Sequence, residues 1–240
     1  MRLFLITLLF FTSSAYARDI YFQPPNEIKT WVVSCDVDQG SITGKGKKRK
    51  FRPSANLCDK GFKQRTFVYK QRSEIRTDAA ISAKANVTYH FQTIFDINAN
   101  RNEKFDIFQV HDDRDGCAPP LKVNIFYDNT IKLYSDYKTG PGESCKRQVM
   151  SSTIPPQTTI LRDGTQYVLD IYLDFDGKGG FIVDVYIDNV HEAHGVYTPP
   201  QGDRYYFKSK YFYFKHGSYS SNMFDYELNS EFFMKKITSN

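Results

Sequence analysis

A chain of 240 residues with 40% hydrophobic content can bury a sizeable core, and its length fits one large domain or two small ones. Seventeen tyrosines and twenty phenylalanines, with few leucines beyond the first eleven residues, favour pleated sheet and exclude a helical bundle. A net charge of +5 is modest and unevenly spread.

Residues 1–17, MRLFLITLLFFTSSAYA, place Arg2 before an apolar run at 3–11 and end on Ala15-Tyr16-Ala17. The run is too short to cross a bilayer, and the charged start, apolar middle and A-x-A end describe a secretory signal peptide. The mature chain is expected from near Arg18, as one domain over 18–240. No other stretch is apolar enough to span a membrane, and no cysteine follows the cleavage site to accept a lipid. The expected product is a secreted or periplasmic monomer with no membrane partner.

Export makes Cys35, Cys58, Cys117 and Cys145 readable as disulfides. Of three possible pairings, loop economy favours Cys35 with Cys58 and Cys117 with Cys145, each bridge worth roughly 3 kcal/mol. No C-x-x-C spacing occurs, so neither zinc nor another metal or cofactor is expected. The stretch GKGKKRKFR at 44–52 holds six cations and no acid. It reads either as a solvated loop or as a contact for a polyanion, and an exported protein meets acidic polysaccharide more often than nucleic acid.

Period-two alternation predicts strands over 64–77, 87–97, 104–111, 121–127, 130–137, 166–175, 180–190 and 204–219. Turn clusters at 127–130, 176–180 and 198–203 separate several of them. Eight or more strands with this punctuation suggest an all-β, two-sheet sandwich, a jelly roll. In such a fold, residues two apart share a face. Arg72, Glu74 and Arg76 therefore project together, with Glu74 expected to hold both guanidiniums extended. Gln109 and His111 form a second pair. Tyr211, Tyr213, Lys215 and Tyr219 form a third set, opposite Phe212, Phe214 and His216, with Gly217 between them.

These clusters resemble the three motifs of polysaccharide lyase family 7, the alginate lyases. RSEIR at 72–76, QVH at 109–111 and YFKHGSY at 213–219 match R-x-E-L-R, Q-I/V-H and Y-F-K-A-G-x-Y in the same order. Ile75 replaces leucine, His216 stands where alanine is common, Ser221 where glutamine often follows, and HDDRDGCAPP after His111 is unusual beside such lyases. The resemblance implies a jelly roll with a cleft across a concave sheet and an acidic polysaccharide, a uronate polymer, as partner. It also implies cleavage by β-elimination, which removes the C5 proton beside a carboxylate and expels the C4 oxygen. Arg72 and Gln109, with His111 beside them, would neutralise that carboxylate as the enolate-like dianion forms. Tyr219 would donate to the leaving oxygen. Glu74 would orient the arginines, Arg76 would meet a neighbouring sugar, Tyr211 and Tyr213 would line the cleft, and Lys215 would shape its potential.

In mannuronate and glucuronate the C5 hydrogen and C4 oxygen lie on one side of the ring, so Tyr219 alone suffices. In guluronate they lie on opposite sides, and His111 would act as base. Glucuronan lyases share the fold plan. A non-catalytic carbohydrate-binding module and a structural secreted protein are the competitors from other classes; neither requires Gln109, His111, Lys215 and Tyr219 together. DFDGKGG at 174–180 reads as a hairpin turn and not as a calcium loop. His191 and His194 are expected in a surface loop, and Asn86-Val87-Thr88 is a glycosylation sequon.

Overall fold

The computed structural model describes residues 27–34, 37–54, 71–112, 119–137, 146–150, 154–199 and 209–237. The expected signal peptide, the four cysteines and most of HDDRDGCAPP lie outside these residues. Among the described residues there are fifteen strands and no helix. The first five are β1 (Trp31–Val33), β2 (Ile42–Thr43), β3 (Lys48–Phe51), β4 (Gln71–Thr77) and β5 (Ile81–Ser82). Then come β6 (Asn86–Ala99), β7 (Phe105–Asp112), β8 (Leu121–Ile125), β9 (Ile131–Tyr137) and β10 (Lys146–Val149). The last are β11 (Asp163–Asp176), β12 (Phe181–Ile187), β13 (Val190–Tyr197), β14 (Tyr211–Ser220) and β15 (Tyr226–Ile237).

They form two antiparallel sheets. One runs β1-β4-β14-β7-β8-β9-β10, with β5 also paired to β14; the other runs β13-β12-β11-β6-β15-β3-β2. The all-β sandwich expected from the alternation is the architecture found. Inner faces meet in a core rich in phenylalanine, where Phe91, Phe95, Phe108, Phe175, Phe181, Phe212 and Phe214 are fully enclosed. Each such ring withdrawn from water is worth roughly 1.5–3 kcal/mol. Phe108 and Phe214 of the first sheet pack against Phe91 and Tyr89 of the second, at centroid distances of 4.7 and 5.2 Å.

His216 joins this core, as its place opposite Tyr213 and Lys215 requires. Its Nδ1–H donates to the Ile107 carbonyl at 3.0 Å, which leaves Nε2 to accept from the Ser230 hydroxyl at 2.7 Å. Thr93 lies 2.8 Å beyond Ser230 and completes the chain. Burial pushes the imidazole down to about 4, so it stays neutral among Phe51, Phe91 and Phe232.

Three readings need correction. β15 is a central strand of its sheet that the alternation did not select, because polar Ser230 occupies an inward position between Leu228 and Phe232. The basic stretch at 44–52 is a loop only in part: its residues Lys48–Phe51 form strand β3, paired with β15. His191 and His194 lie on strand β13, not in a loop. A bulge relative to β12 makes Glu192 the extra residue, so both imidazoles reach one face and share Asp184 Oδ1 at 2.9 and 2.8 Å. The segment at 176–180 is the expected turn: Asp176 Oδ1 accepts from the Lys178 and Gly180 amides, with Gly177 and Gly179 at positive φ.

Candidate active site

The three clusters come from distant parts of the chain, and strand order makes them neighbours. β14 lies between β4 and β7, so its outward side chains are flanked by both other sets. Registration places Arg72 beside Tyr219 and Asp106, Arg76 beside Lys215 and Gln109, and His111 beside Tyr213. Side chains in such cross-strand rows stand roughly 4.5–5.5 Å apart at Cβ, close enough to act on one ligand.

Gly217 makes this alignment possible. Its φ is +137°, and a Cβ there would lie 2.3 Å from the Ser73 carbonyl and 2.9 Å from the Glu74 Cα. No side chain fits between β14 and β4 at that point. From His216 to Tyr219 the chain takes three steps against two on β7, a bulge that brings Tyr219 opposite Asp106.

The side chains form two tiers. Below lie Glu74, Gln109, Asp106 and Lys215, all buried. Above them, partly exposed, stand Arg72, Arg76, His111, Tyr213 and Tyr219, with Tyr211 exposed at the end of the strand. Glu74, only 2% exposed, is the hub. Its Oε2 lies 3.2 Å from Arg72 Nε and 3.8 Å from Lys215 Nζ, and its Oε1 accepts from Gln109 Nε2 at 2.8 Å. The expectation that Glu74 holds both arginines is met for Arg72 only; Arg76 donates to the Thr77 carbonyl at 3.3 Å.

Gln109 Nε2 also donates to Asp106 Oδ2 at 3.0 Å, and His111 Nε2 lies 2.5 Å from Gln109 Oε1. The Arg72 guanidinium stands over the Tyr219 ring at 4.7 Å, and Tyr213 stacks against His111 at 5.2 Å. An unbroken series of contacts thus runs from Tyr213 through His111, Gln109, Glu74 and Arg72 to Tyr219. Glu74 and Lys215, grouped with the substrate-binding residues in the sequence, are 2% and 6% exposed, too enclosed to touch a ligand directly. Their charges act from beneath the surface.

Electrostatics follow from this layering. Burial drives the His111 imidazole well below its usual range, and Lys215, Arg72 and Lys122 push the same way, so the ring is neutral and keeps one nitrogen unprotonated. Burial also lowers the Lys215 ammonium, with Arg72 and Arg76 adding to it and Glu74 opposing. Tyr213 is pushed up, chiefly by burial.

Asp106 is the site residue that alternation missed. Burial raises its carboxyl to about 7, with Lys122 opposing and Glu74 reinforcing. Its Oδ1 accepts from the Asn124 amide and its Oδ2 from Gln109. Strict alternation counted back from Gln109 turns residue 106 inward, but a register shift between Asp106 and Phe108 reverses the phase. The adjacent apolar pair Ile107-Phe108, both fully buried, is the sequence signal of that shift.

No protein-family model matches this sequence, and no curated protein matches it. Solved structures do. Alginate lyase AlgAT5 of polysaccharide lyase family 7 superposes with a TM-score of 0.51 at 14% identity, covering 88% of this chain and 96% of that one. Alginate lyase A1-II′, a member of the same family, gives 0.54 at 12% identity, covering 84% and 85%. An endo-β-1,4-glucuronan lyase from the fungus Trichoderma reesei gives 0.54 at 13% identity, covering 86% and 87%. At these identities the likeness is one of fold: the chain has the two-sheet jelly roll of the polysaccharide lyase family 7 enzymes.

Proposed function

We propose that this chain is an exported lyase that cleaves a uronic-acid polymer, alginate foremost, by β-elimination. The observation that carries the reading is the meeting of Arg72, His111 and Tyr219 on one outward face of β4, β14 and β7, underlain by buried Glu74, Gln109 and Lys215. A binding platform needs aromatic rings and cations; it does not need a neutral imidazole beside them.

The uronate carboxylate is met by Arg72, whose guanidinium is partly exposed while Glu74 holds its Nε side. Lys215 beneath adds positive potential where the dianion develops. The C5–H bond then breaks, its electron pair forms C4=C5, and the C4–O bond departs with its electrons. Tyr219 supplies the proton that the leaving oxygen takes up. For guluronate, His111 receives the C5 proton from the opposite side of the ring while Tyr219 reacts as the phenol; for mannuronate and glucuronate, Tyr219 reacts as the phenolate, receives the C5 proton and passes it to the leaving oxygen. Export agrees with the signal peptide expected over residues 1–17, and an acidic polysaccharide suits the cationic tier.

Incubation of purified protein with alginate, polymannuronate, polyguluronate and glucuronan tests the proposal, read as the ultraviolet absorbance of the new C4=C5 bond. Unsaturated product from any of them supports a lyase, and the preferred polymer names the substrate. Binding without product favours a carbohydrate-binding module, and chain cleavage without unsaturation excludes elimination.

A further inference from the structure

We propose that Gln109 is a positioning residue, clamped by two buried carboxylates so that its carbonyl fixes His111 in the Nε2–H tautomer, and that it does not bind the substrate carboxylate. Its catalytic meaning rests on the lyase reading above; the geometry it draws on is that of the free protein.

A primary amide has two N–H hydrogens and one carbonyl. Both hydrogens of Gln109 are committed, one to Glu74 Oε1 at 2.8 Å and one to Asp106 Oδ2 at 3.0 Å. With Asp106 ionised, above about pH 7, flipping the amide would set its oxygen against two carboxylate oxygens and leave buried acceptors without donors. The carboxylates therefore dictate which way the amide faces. They are anchored in turn: Asp106 takes an N–H from Asn124 on β8, and Glu74 lies between Arg72 and Lys215. With Gln109 only 3% exposed, no donor remains for an incoming carboxylate.

The outward consequence falls on His111. Gln109 Oε1, 2.5 Å from His111 Nε2, can only accept, so Nε2 must carry the hydrogen. In the neutral ring the lone pair then sits on Nδ1. This assigns Nδ1 as the basic nitrogen and leaves carboxylate neutralisation to Arg72. Orientation of a ring through its other nitrogen is how histidine tautomers are ordinarily set.

The test is nitrogen-15 NMR of the ligand-free protein at about pH 8, above the Asp106 carboxyl at about 7. A His111→Gln variant assigns the His111 resonance. The expected result is the Nε2–H tautomer, and an Nδ1–H ring would overturn the proposal. Gln109→Leu removes the carbonyl at similar volume and is expected to give a mixture of tautomers. In a Tyr219→Phe background, that change should leave affinity for tetramannuronate within about threefold. Loss of a direct hydrogen bond to a charged group would instead cost roughly 10–100-fold. A loss of that size, or an unchanged tautomer in Gln109→Leu, overturns the positioning role. If Gln109→Leu does not fold, the wild-type tautomer alone decides. Absence of any uronate binding or cleavage, with the Nε2–H ring in place, would sink the lyase reading and leave the clamp standing.

Discussion

Two regions concentrate positive charge, and they use it in opposite ways. In the stretch at 44–52 each of four cations meets an acid from another segment: Lys47 with Glu27 at 2.8 Å, Lys48 with Glu231 at 3.3 Å, Lys50 with Glu227 at 2.7 Å and Arg52 with Glu227 at 3.0 Å. These pairs lie toward the edge of a sheet, with mostly open side chains. In the candidate active site a single carboxylate, Glu74, is shared among Arg72, Lys215 and the Gln109 amide, and is almost sealed from water. Exposed pairs are worth about 0–1 kcal/mol and rearrange freely. A buried hub cannot rearrange, so the charge above it is held in place for a ligand. Density of charge in the sequence marked the first region; scarcity of counter-charge in the fold marks the second.

The sharpest way to separate these regions is chemical. Tyr219→Phe is expected to cut turnover on the preferred uronate polymer by about 10²–10⁴-fold while affinity survives, followed by the absorbance of the unsaturated product. Near-normal turnover in folded variant would remove Tyr219 from proton transfer.

Stability against pH probes the buried tier. The Asp106 carboxyl sits at about 7 in the folded protein against an ordinary 3.8, so between these values the folded chain keeps a proton that the unfolded chain has released. The stability this confers is full below about pH 4 and is lost as pH rises through about 7. Asp106→Asn cannot titrate, so relative to wild type it should gain on the order of 3–4 kcal/mol as pH rises across that window. Denaturant midpoints over a pH series measure the difference; a flat or reversed trend contradicts a raised carboxyl.

Arg72→Ala should lower kcat/KM by roughly 10–100-fold through both rate and affinity, because a charge-assisted hydrogen bond to the uronate is lost. The smallest effect belongs to the other region. Lys50→Ser or Arg52→Ser should change stability by less than about 1 kcal/mol and leave kcat/KM within about twofold. A loss there equal to that of Arg72→Ala would show that the β3 region also contacts the polymer.

How much was legible depended on the kind of signal. Period-two alternation found the strands whose outward and inward residues differ cleanly, such as β6, β11, β12 and β14. It passed over β15, where Ser230 fills a core position because His216 from the facing sheet needs a hydroxyl. It passed over β3, whose run of cations hid its pairing with the acids of β15. Bulges defeated it twice: Asp106 joins the site, and His191 and His194 share Asp184, because one extra residue reverses the phase of a strand. The spacing Arg72-x-Glu74-x-Arg76 was plain in the sequence, but that Glu74 pairs with Lys215 rather than Arg76 was not.

By itself the sequence determined an aromatic-rich sheet protein and the residue types that share each strand face, since composition and alternation are local properties of the chain. Only the tertiary structure decided that β14 lies between β4 and β7, which groups sink beneath the surface and which partners Gln109 and His111 meet. Those outcomes depend on which strands pair and in what register, and on how far water is excluded, and no single segment encodes them.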